Sequence, residues 1–278
     1  MLAAEDPAPG ARVASSGIER IAEAFEGARA DGRRAALMPY MMGGFPDLDR
    51  SREIALAYAE AGADLVELGV PFSDPLADGP VIHAAGTAAL RAGVRLHDVL
   101  GLASEIAARV PVVVMCYANP IYARGLDRFA DALADSGASG LIVPDLPHEE
   151  APEVLAACER RGIALVPLVA PTTPRERLAR IGERARGFLY TVSLTGTTGE
   201  RAGLSEGLAG VLARAKALTS VPVAVGFGIA TPEHAAAAAE AGADGVIVGS
   251  RLVRAAGEAD DPAPAVRELV LALGRALR

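Results

Sequence analysis

The stretch 239-AEAGADGVIVGS-250 decides how this 278-residue chain reads, because near-copies of it recur as 59-AEAGADLVELGV-70 and 134-ADSGASGLIVPD-145. Each copy passes from a helix end through a glycine in a C-cap position and a short turn into an apolar run. This is one supersecondary unit, joining a helix to a buried strand, used repeatedly. Further continuous apolar runs lie at 36-ALMPYMMGG-44, 111-PVVVMCY-117, 164-ALVPLVA-170, 187-GFLYTVS-193 and 222-PVAVGFG-228. Together with 64-DLVELGV-70, 140-GLIVPD-145 and 244-DGVIVGS-250 they make eight. Runs apolar on both faces fit parallel strands covered by helices. Helical patterns follow them at roughly 49–62, 96–109, 120–136, 149–162, 174–185, 204–218, 231–242 and 262–278. Eight alternating units favour an α/β fold of the (β/α)8 TIM-barrel type over an open doubly wound sheet.

Two patterned segments are left over. An amphipathic helix near 17-GIERIAEAFEGARA-30 is placed to plug the N-terminal mouth of the barrel, and a short extra helix near 80-PVIHAAGTAALRAG-93 follows strand two. No Pro, Gly or Ser linker divides the chain. Residues 1–15 read as a mobile tail and 16–278 as one barrel domain.

Composition narrows the function. Hydrophobic residues are 51% and charged residues 22%, a globular balance that excludes a mainly disordered chain. Net charge is −8 with arginines scattered among acids, which argues against nucleic acid as a partner. No apolar run reaches the roughly 18 residues of a membrane span, and the N-terminus carries acids where a signal peptide needs an apolar region. The expectation is a soluble cytoplasmic protein that does not act at a membrane. Cys116 and Cys158 lack CxxC spacing and read as small buried hydrophobes. No His or acidic cluster has metal spacing, so no metal is expected. Lys216, the one lysine, sits in a helical segment, which argues against a Schiff base in this chain.

Barrel active sites lie at the C-terminal ends of the strands. In 64-DLVELGV-70, a period of two puts Leu65, Glu67 and Gly69 on one face and Val66, Leu68 and Val70 on the other. The more apolar set faces the helices, which turns Glu67 into the barrel mouth. No Lys or Arg lies inside any strand run to pair with it, so function outweighs an ion pair there. Asp78, in ADGP, reads by its pattern first as a turn or N-cap residue, with a catalytic acid as the less favoured alternative. Asp74, in SDP, reads as loop structure or partner contact. Glycine-bearing loops at 196-GTTGERAGL-204, 226-GFG-228 and 249-GS-250 suit a phosphate held by backbone amides. Tyr40, Tyr117 and Tyr190, with Phe227, could line a flat aromatic pocket.

The run 66-VELGVPFSDPLADGP-80 closely resembles the signature of the tryptophan synthase alpha chain family, and the likeness extends from about residue 16 to 278. Further matches are 38-MPYMMGGFPD-47, 117-YANP-120, 141-LIVPDLP-147, 193-SLTGTTG-199, 226-GFG-228 and 249-GS-250. The resemblance implies cleavage of indole-3-glycerol phosphate to indole and glyceraldehyde 3-phosphate, in tryptophan biosynthesis. It implies an αββα complex whose beta chain holds pyridoxal phosphate, with no cofactor in this chain. By position, it makes Glu67 and Asp78 the catalytic carboxylates and sets Tyr190 beside them. Indole contacts fall on Tyr40, Met115, Ile142, Tyr190, Phe227 and Ile247, and phosphate contacts on Gly199, Gly228, Gly249 and Ser250. Thr198 would help close the site. Contacts with the beta chain fall on 71-PFSDP-75, including Pro71, Asp74 and Pro75, on Asn119, and on 145-DLP-147. Leu194 stands where some members have Arg, and Phe45 replaces a common acid. Two alternatives remain at this point: a free-standing indole-3-glycerol phosphate lyase, and a non-catalytic phosphate-binding barrel.

Overall fold

The computed structural model describes residues 15–192, 207–226 and 228–278. All but the last residue of the expected tail lies outside them. In chain order the elements are α1 (Gly17–Ala30), β1 (Ala36–Met42), α2 (Leu48–Glu60), β2 (Val66–Gly69), α3 (Pro80–Arg91), α4 (Leu96–Ala107) and β3 (Val112–Met115). Next come α5 (Ala118–Arg124), α6 (Leu126–Asp135), β4 (Gly140–Ile142), α7 (Pro152–Glu159), β5 (Ala164–Leu165), β6 (Leu168–Val169) and α8 (Arg175–Arg184). The chain finishes with β7 (Leu189–Val192), α9 (Leu208–Lys216), β8 (Val223–Gly226), α10 (Pro232–Glu240), β9 (Gly245–Val248), α11 (Ser250–Glu258) and α12 (Pro262–Ala276).

The three copies of the repeated unit fold alike. Gly62, Gly137 and Gly242 close their helices at φ of 88°, 71° and 101°, left-handed values that favour glycine. The aspartate two residues on then ties its strand to the neighbour. Asp64 accepts from the Leu37 amide at 2.7 Å and Asp244 from the Val223 amide at 2.9 Å. Each carboxylate also meets a cation, Asp64 the two-pronged Arg33 and Asp244 Lys216. The middle copy has Ser139 instead, whose backbone amide donates to the Val112 carbonyl.

All strands pair in parallel, in the order β5-β4-β3-β2-β1-β9-β8-β7-β6. The two ends of that order are one continuous stretch, residues 164–169, interrupted at Val166 and Pro167. There the Val166 amide donates to the Leu141 carbonyl at 2.9 Å, and the Pro167 carbonyl accepts from the Tyr190 amide at 3.0 Å. The sheet therefore closes on itself, and the strand expected at 164–170 is split where proline cannot donate.

Side chains sort by parity. Leu65, Val113, Ile142, Ala164, Val166, Phe188, Ala224 and Ile247 fill the barrel, while Val66, Leu68, Val70, Val112 and Val114 pack beneath the helices. Helix α1 starts at a Ser16 capping box and seats Ile21 and Phe25 in the inner cluster. The Phe25 ring lies 5.9 Å from that of Phe188, and Ile21 stands where side chains at Gly140 or Gly187 would be. The expected plug is in place.

Two helical details differ from the sequence reading. The helix expected over 120–136 is two helices, parted at Gly125 with φ of 86°. A separate helix, α11, follows the last strand before α12. It buries Leu252, Val253, Ala255 and Ala256, an apolar face that the sequence reading did not assign to a helix.

Phe25 is buried at the mouth opposite the strand ends. Phe25→Ala should lower stability by about 3–5 kcal/mol in urea unfolding.

Candidate active site

Short parallel strands bring the sequence-picked residues together at the C-terminal mouth. Glu67 lies on β2 with its Cα partnered by Tyr40 on β1 and Val113 on β3. It is 2% exposed, and its Oε2 has no hydrogen-bond partner. The buried Tyr40 hydroxyl beside it also lacks one. Buried polar groups are normally paired, so two unpaired ones side by side mark a ligand-facing position.

Burial pushes the Glu67 carboxyl up to about 8, and the charge of Asp78 pushes the same way. The acid is thus protonated at neutral pH. Burial, and after it the nearby carboxylates, holds Tyr40 and Tyr190 as neutral phenols. Met115, Ile142, Ile247 and Tyr190 complete an apolar wall around Glu67 on the inner face. Asp78 sits in the loop after β2, just before α3, and is also raised by burial. A hydrogen bond from Tyr117 and the His83 side chain pull it back down.

Sequence reasoning left Tyr117 as one aromatic among several. Its hydroxyl accepts from the Ala77 amide at 3.1 Å and bonds the Asp78 carboxylate, and its ring stacks on Phe72 at 5.1 Å. Tyr117 thereby fixes the loop that carries Asp78. Its place at the end of a strand run was the available signal. Two glycines have a role that the sequence reading did not assign them. A Cβ on Gly69 would lie 2.1 Å from the Tyr40 hydroxyl, and one on Gly226 would lie 2.3 Å from the Tyr190 hydroxyl. These glycines are recesses that let each phenol cross the neighbouring strand.

The phosphate candidates are set apart from the acids, after β8 and β9. Gly228 has φ of 78°, and Gly249 precedes α11 without any side-chain cap, leaving the Ser250 end of that helix unblocked. Thr198, Gly199, Phe227 and Leu194 lie outside the described residues. Of the interface candidates, Asp74 and Asn119 are exposed, Pro75 is half-buried and Pro71 is buried. Leu76, between Asp74 and Asp78, is 90% exposed. Phe45 packs over Gly257 in α11, where a Cβ would meet its ring at 2.8 Å, so this departure from the family pattern fills space.

A closed parallel barrel with a buried, protonated carboxyl and a second acid at its C-terminal mouth defines a barrel enzyme of the acid–base type. Within that class, the chain belongs to the tryptophan synthase alpha chain family, whose profile matches residues 25–276. It is 48% identical to the tryptophan synthase alpha chain of Prochlorococcus marinus (strain MIT 9313), over 84% of this chain and 86% of that one. It is 44% identical to that of Thermosynechococcus vestitus, over 94% and 98%. Among solved structures, Mycobacterium tuberculosis tryptophan synthase superposes with a TM-score of 0.87 at 42% identity, over 95% of this chain and 99% of that one. The Legionella pneumophila alpha chain gives 0.84 at 37%, over 93% and 97%. Membership makes the chain a lyase of tryptophan biosynthesis that cleaves indole-3-glycerol phosphate, and it implies a beta-chain partner. Among the described residues no helix is long and apolar enough to cross a membrane.

Gly69→Ala should displace the Tyr40 ring and lower kcat/KM for indole-3-glycerol phosphate at least tenfold, at a stability cost of about 1–3 kcal/mol. In a Tyr40→Leu background the same change should cost less than half as much stability, which a double-mutant cycle measures.

Proposed function

We propose that Glu67 shuttles the proton in this cleavage and that Asp78 steadies the positive charge on the indole ring. The observation that carries the reading is the buried Glu67 carboxyl, raised to about 8. An aromatic ring leaves poorly as a carbanion, so indole C3 must gain a proton before its bond to the glycerol chain breaks. Protonated Glu67 supplies that proton. The resulting carboxylate takes the proton of the adjacent glycerol hydroxyl, the carbon–carbon bond opens, and indole and glyceraldehyde 3-phosphate separate with Glu67 protonated again. A single acid–base step of this kind is worth about 10² to 10⁴ in rate. Asp78 faces the ring N–H, where charge develops on protonation.

Tyr40, Met115, Ile142, Tyr190 and Ile247 hold the indole, with Phe227 from beyond the described residues. Gly228 in the loop after β8, and Gly249 and Ser250 at the N-terminal start of α11, bind the phosphate through backbone amides, joined by Gly199, and Thr198 closes over the substrate. The beta chain docks on the exposed loops after β2, β3 and β4, in an αββα assembly in which it alone carries pyridoxal phosphate. Asp74, Pro75 and Asn119 meet it directly, and the buried Pro71 shapes the loop. An enzyme of this kind works in the cytoplasm, as one barrel domain preceded by a tail.

Glu67→Gln and Asp78→Asn should each reduce indole release at least a thousandfold with the circular dichroism spectrum unchanged; activity within tenfold of the parent in either variant overturns the assignment. The wild-type kcat/KM should hold up to about pH 8 and fall about tenfold per pH unit above it, as the acid form of Glu67 is lost.

Stability should follow the same group. Below pH about 4.5 both folded and unfolded states hold the Glu67 proton, and burial costs nothing electrostatic. As pH rises toward about 8 only the unfolded chain releases it, so stability falls through that window. A displacement of this size corresponds to about 5 kcal/mol at 1.36 kcal/mol per pH unit. Glu67→Gln should therefore match the wild type in urea unfolding at pH 4.5 and exceed it by a few kcal/mol at pH 9.

A further inference from the structure

A cavity of about 310 Å³ lies away from the acids, between α7 and α8 and behind the broken strand at residues 164–169. Its floor is apolar, from Leu155, Leu165, Pro167 and Ile181. The break makes the room: beside Pro167 the outward side chain of Leu165 is only half-buried, where regular strands bury theirs under helices.

The rim is cationic. Arg177 and Arg184 lie seven residues apart on α8, on the face that carries Ile181, and both line the cavity. Arg177 reaches out to Glu149 at 2.8 Å through one terminal nitrogen, yet its Nε is buried without a partner. Arg184 makes no ion pair among the described residues. The neighbouring His148 is held below its usual value by burial first and then by Arg184, with Arg177 and Arg180 adding to it against Glu149. It is a neutral imidazole beside the two guanidiniums. Asp145, the one acid in the lining, is engaged elsewhere, its Oδ1 accepting from the Ala118 amide at 2.9 Å.

We propose that this cavity is a second binding site, separate from the lyase site, for a small organic monoanion with an apolar body, of the aryl or branched acyl carboxylate class. The carboxylate bridges Arg177 and Arg184, using the unpaired Nε, and the body rests on Leu155, Leu165 and Ile181. Arginine forks match planar carboxylates, and an apolar floor with a few converging polar groups is the common form of a small-molecule site. Asp145, Leu146 and Pro147, on the loop after β4 assigned above to the beta chain, line one side, so the site is that of the chain on its own.

Isothermal titration of the full chain with naphthoate tests the site. The ligand has about 13 non-hydrogen atoms, which sets the expected Kd at about 1 mM or below. One saturable site is expected, at least tenfold weaker for the neutral naphthamide and for Arg184→Gln. Arg184 is exposed, so the variant keeps its fold, and its kcat for indole release should equal that of the parent. Leu155→Trp, which fills the floor, should abolish binding. Saturating glyceraldehyde 3-phosphate should leave naphthoate bound. The proposal is overturned by no saturable binding to 5 mM (about five times the expected Kd), by equal binding of the amide or of Arg184→Gln, or by displacement with glyceraldehyde 3-phosphate.

Discussion

Burial of the Glu67 carboxyl is the constraint around which the mouth of the barrel is arranged. A carboxylate there would lose most of its hydration, and among the described residues no arginine or lysine stands on a strand to compensate it. The group keeps its proton instead, which makes it an acid at the pH where most carboxyls are bases. Everything near it serves that state. Tyr40 and Tyr190 are neutral, Met115, Ile142 and Ile247 exclude water, and Asp78, at the loop, adds a negative charge that raises the acid further. In the role proposed for Glu67, stability is given up at this position in favour of chemistry, as is common where function and fold compete.

That arrangement needs strands whose inward residues can be chosen one by one. Closure of the parallel sheet supplies it, since each strand is held on both sides by backbone bonds and leaves its side chains free to alternate. The repeated turn sets where strands begin. Asp64 and Asp244 each fix the amide of a neighbouring strand, so β2 and β9 start in register and Glu67 and Gly249 arrive at the same end of the barrel. The N-terminal mouth is meanwhile filled by Ile21 and Phe25. One end of the barrel carries packing and the other carries polar groups.

How much of this was legible depended on the range of the signal. Strand parity in 64-DLVELGV-70 placed Glu67 inward from its neighbours alone, and the recurrent glycines marked the helix-to-strand turns, because both are local properties of the backbone. The split at Pro167 and the break at Gly125 are also local, yet each fell inside a continuous apolar or helical pattern that masked it. The recesses at Gly69 and Gly226 were invisible for another reason. Each exists because a phenol from the adjacent strand crosses it, and that pairing depends on sheet register, which the sequence carries only through the whole closed barrel. Phe45 read as a departure from its family and proved to be packing against Gly257, far away in the chain.

Asp78 shows why a site residue cannot be understood from its own loop. Read alone, ADGP is a turn, and the carboxylate could point anywhere. Its position is set by Tyr117, which begins α5 after β3 and bonds both the Ala77 amide and the Asp78 carboxylate. Helix α5 is in turn held by Asp145 from the loop after β4, through the Ala118 amide. Three successive strand-end loops are therefore joined by side-chain bonds that run from Asp145 to Asp78. The exposed residues Asp74, Leu76 and Asn119 lie on the same loops. Any protein that grips those loops acts on a connected set of hydrogen bonds, one end of which is the acid nearest to Glu67 in charge. A loop that only decorated the barrel would need none of these ties, and their presence gives the outer surface of this mouth a mechanical relation to the chemistry inside it.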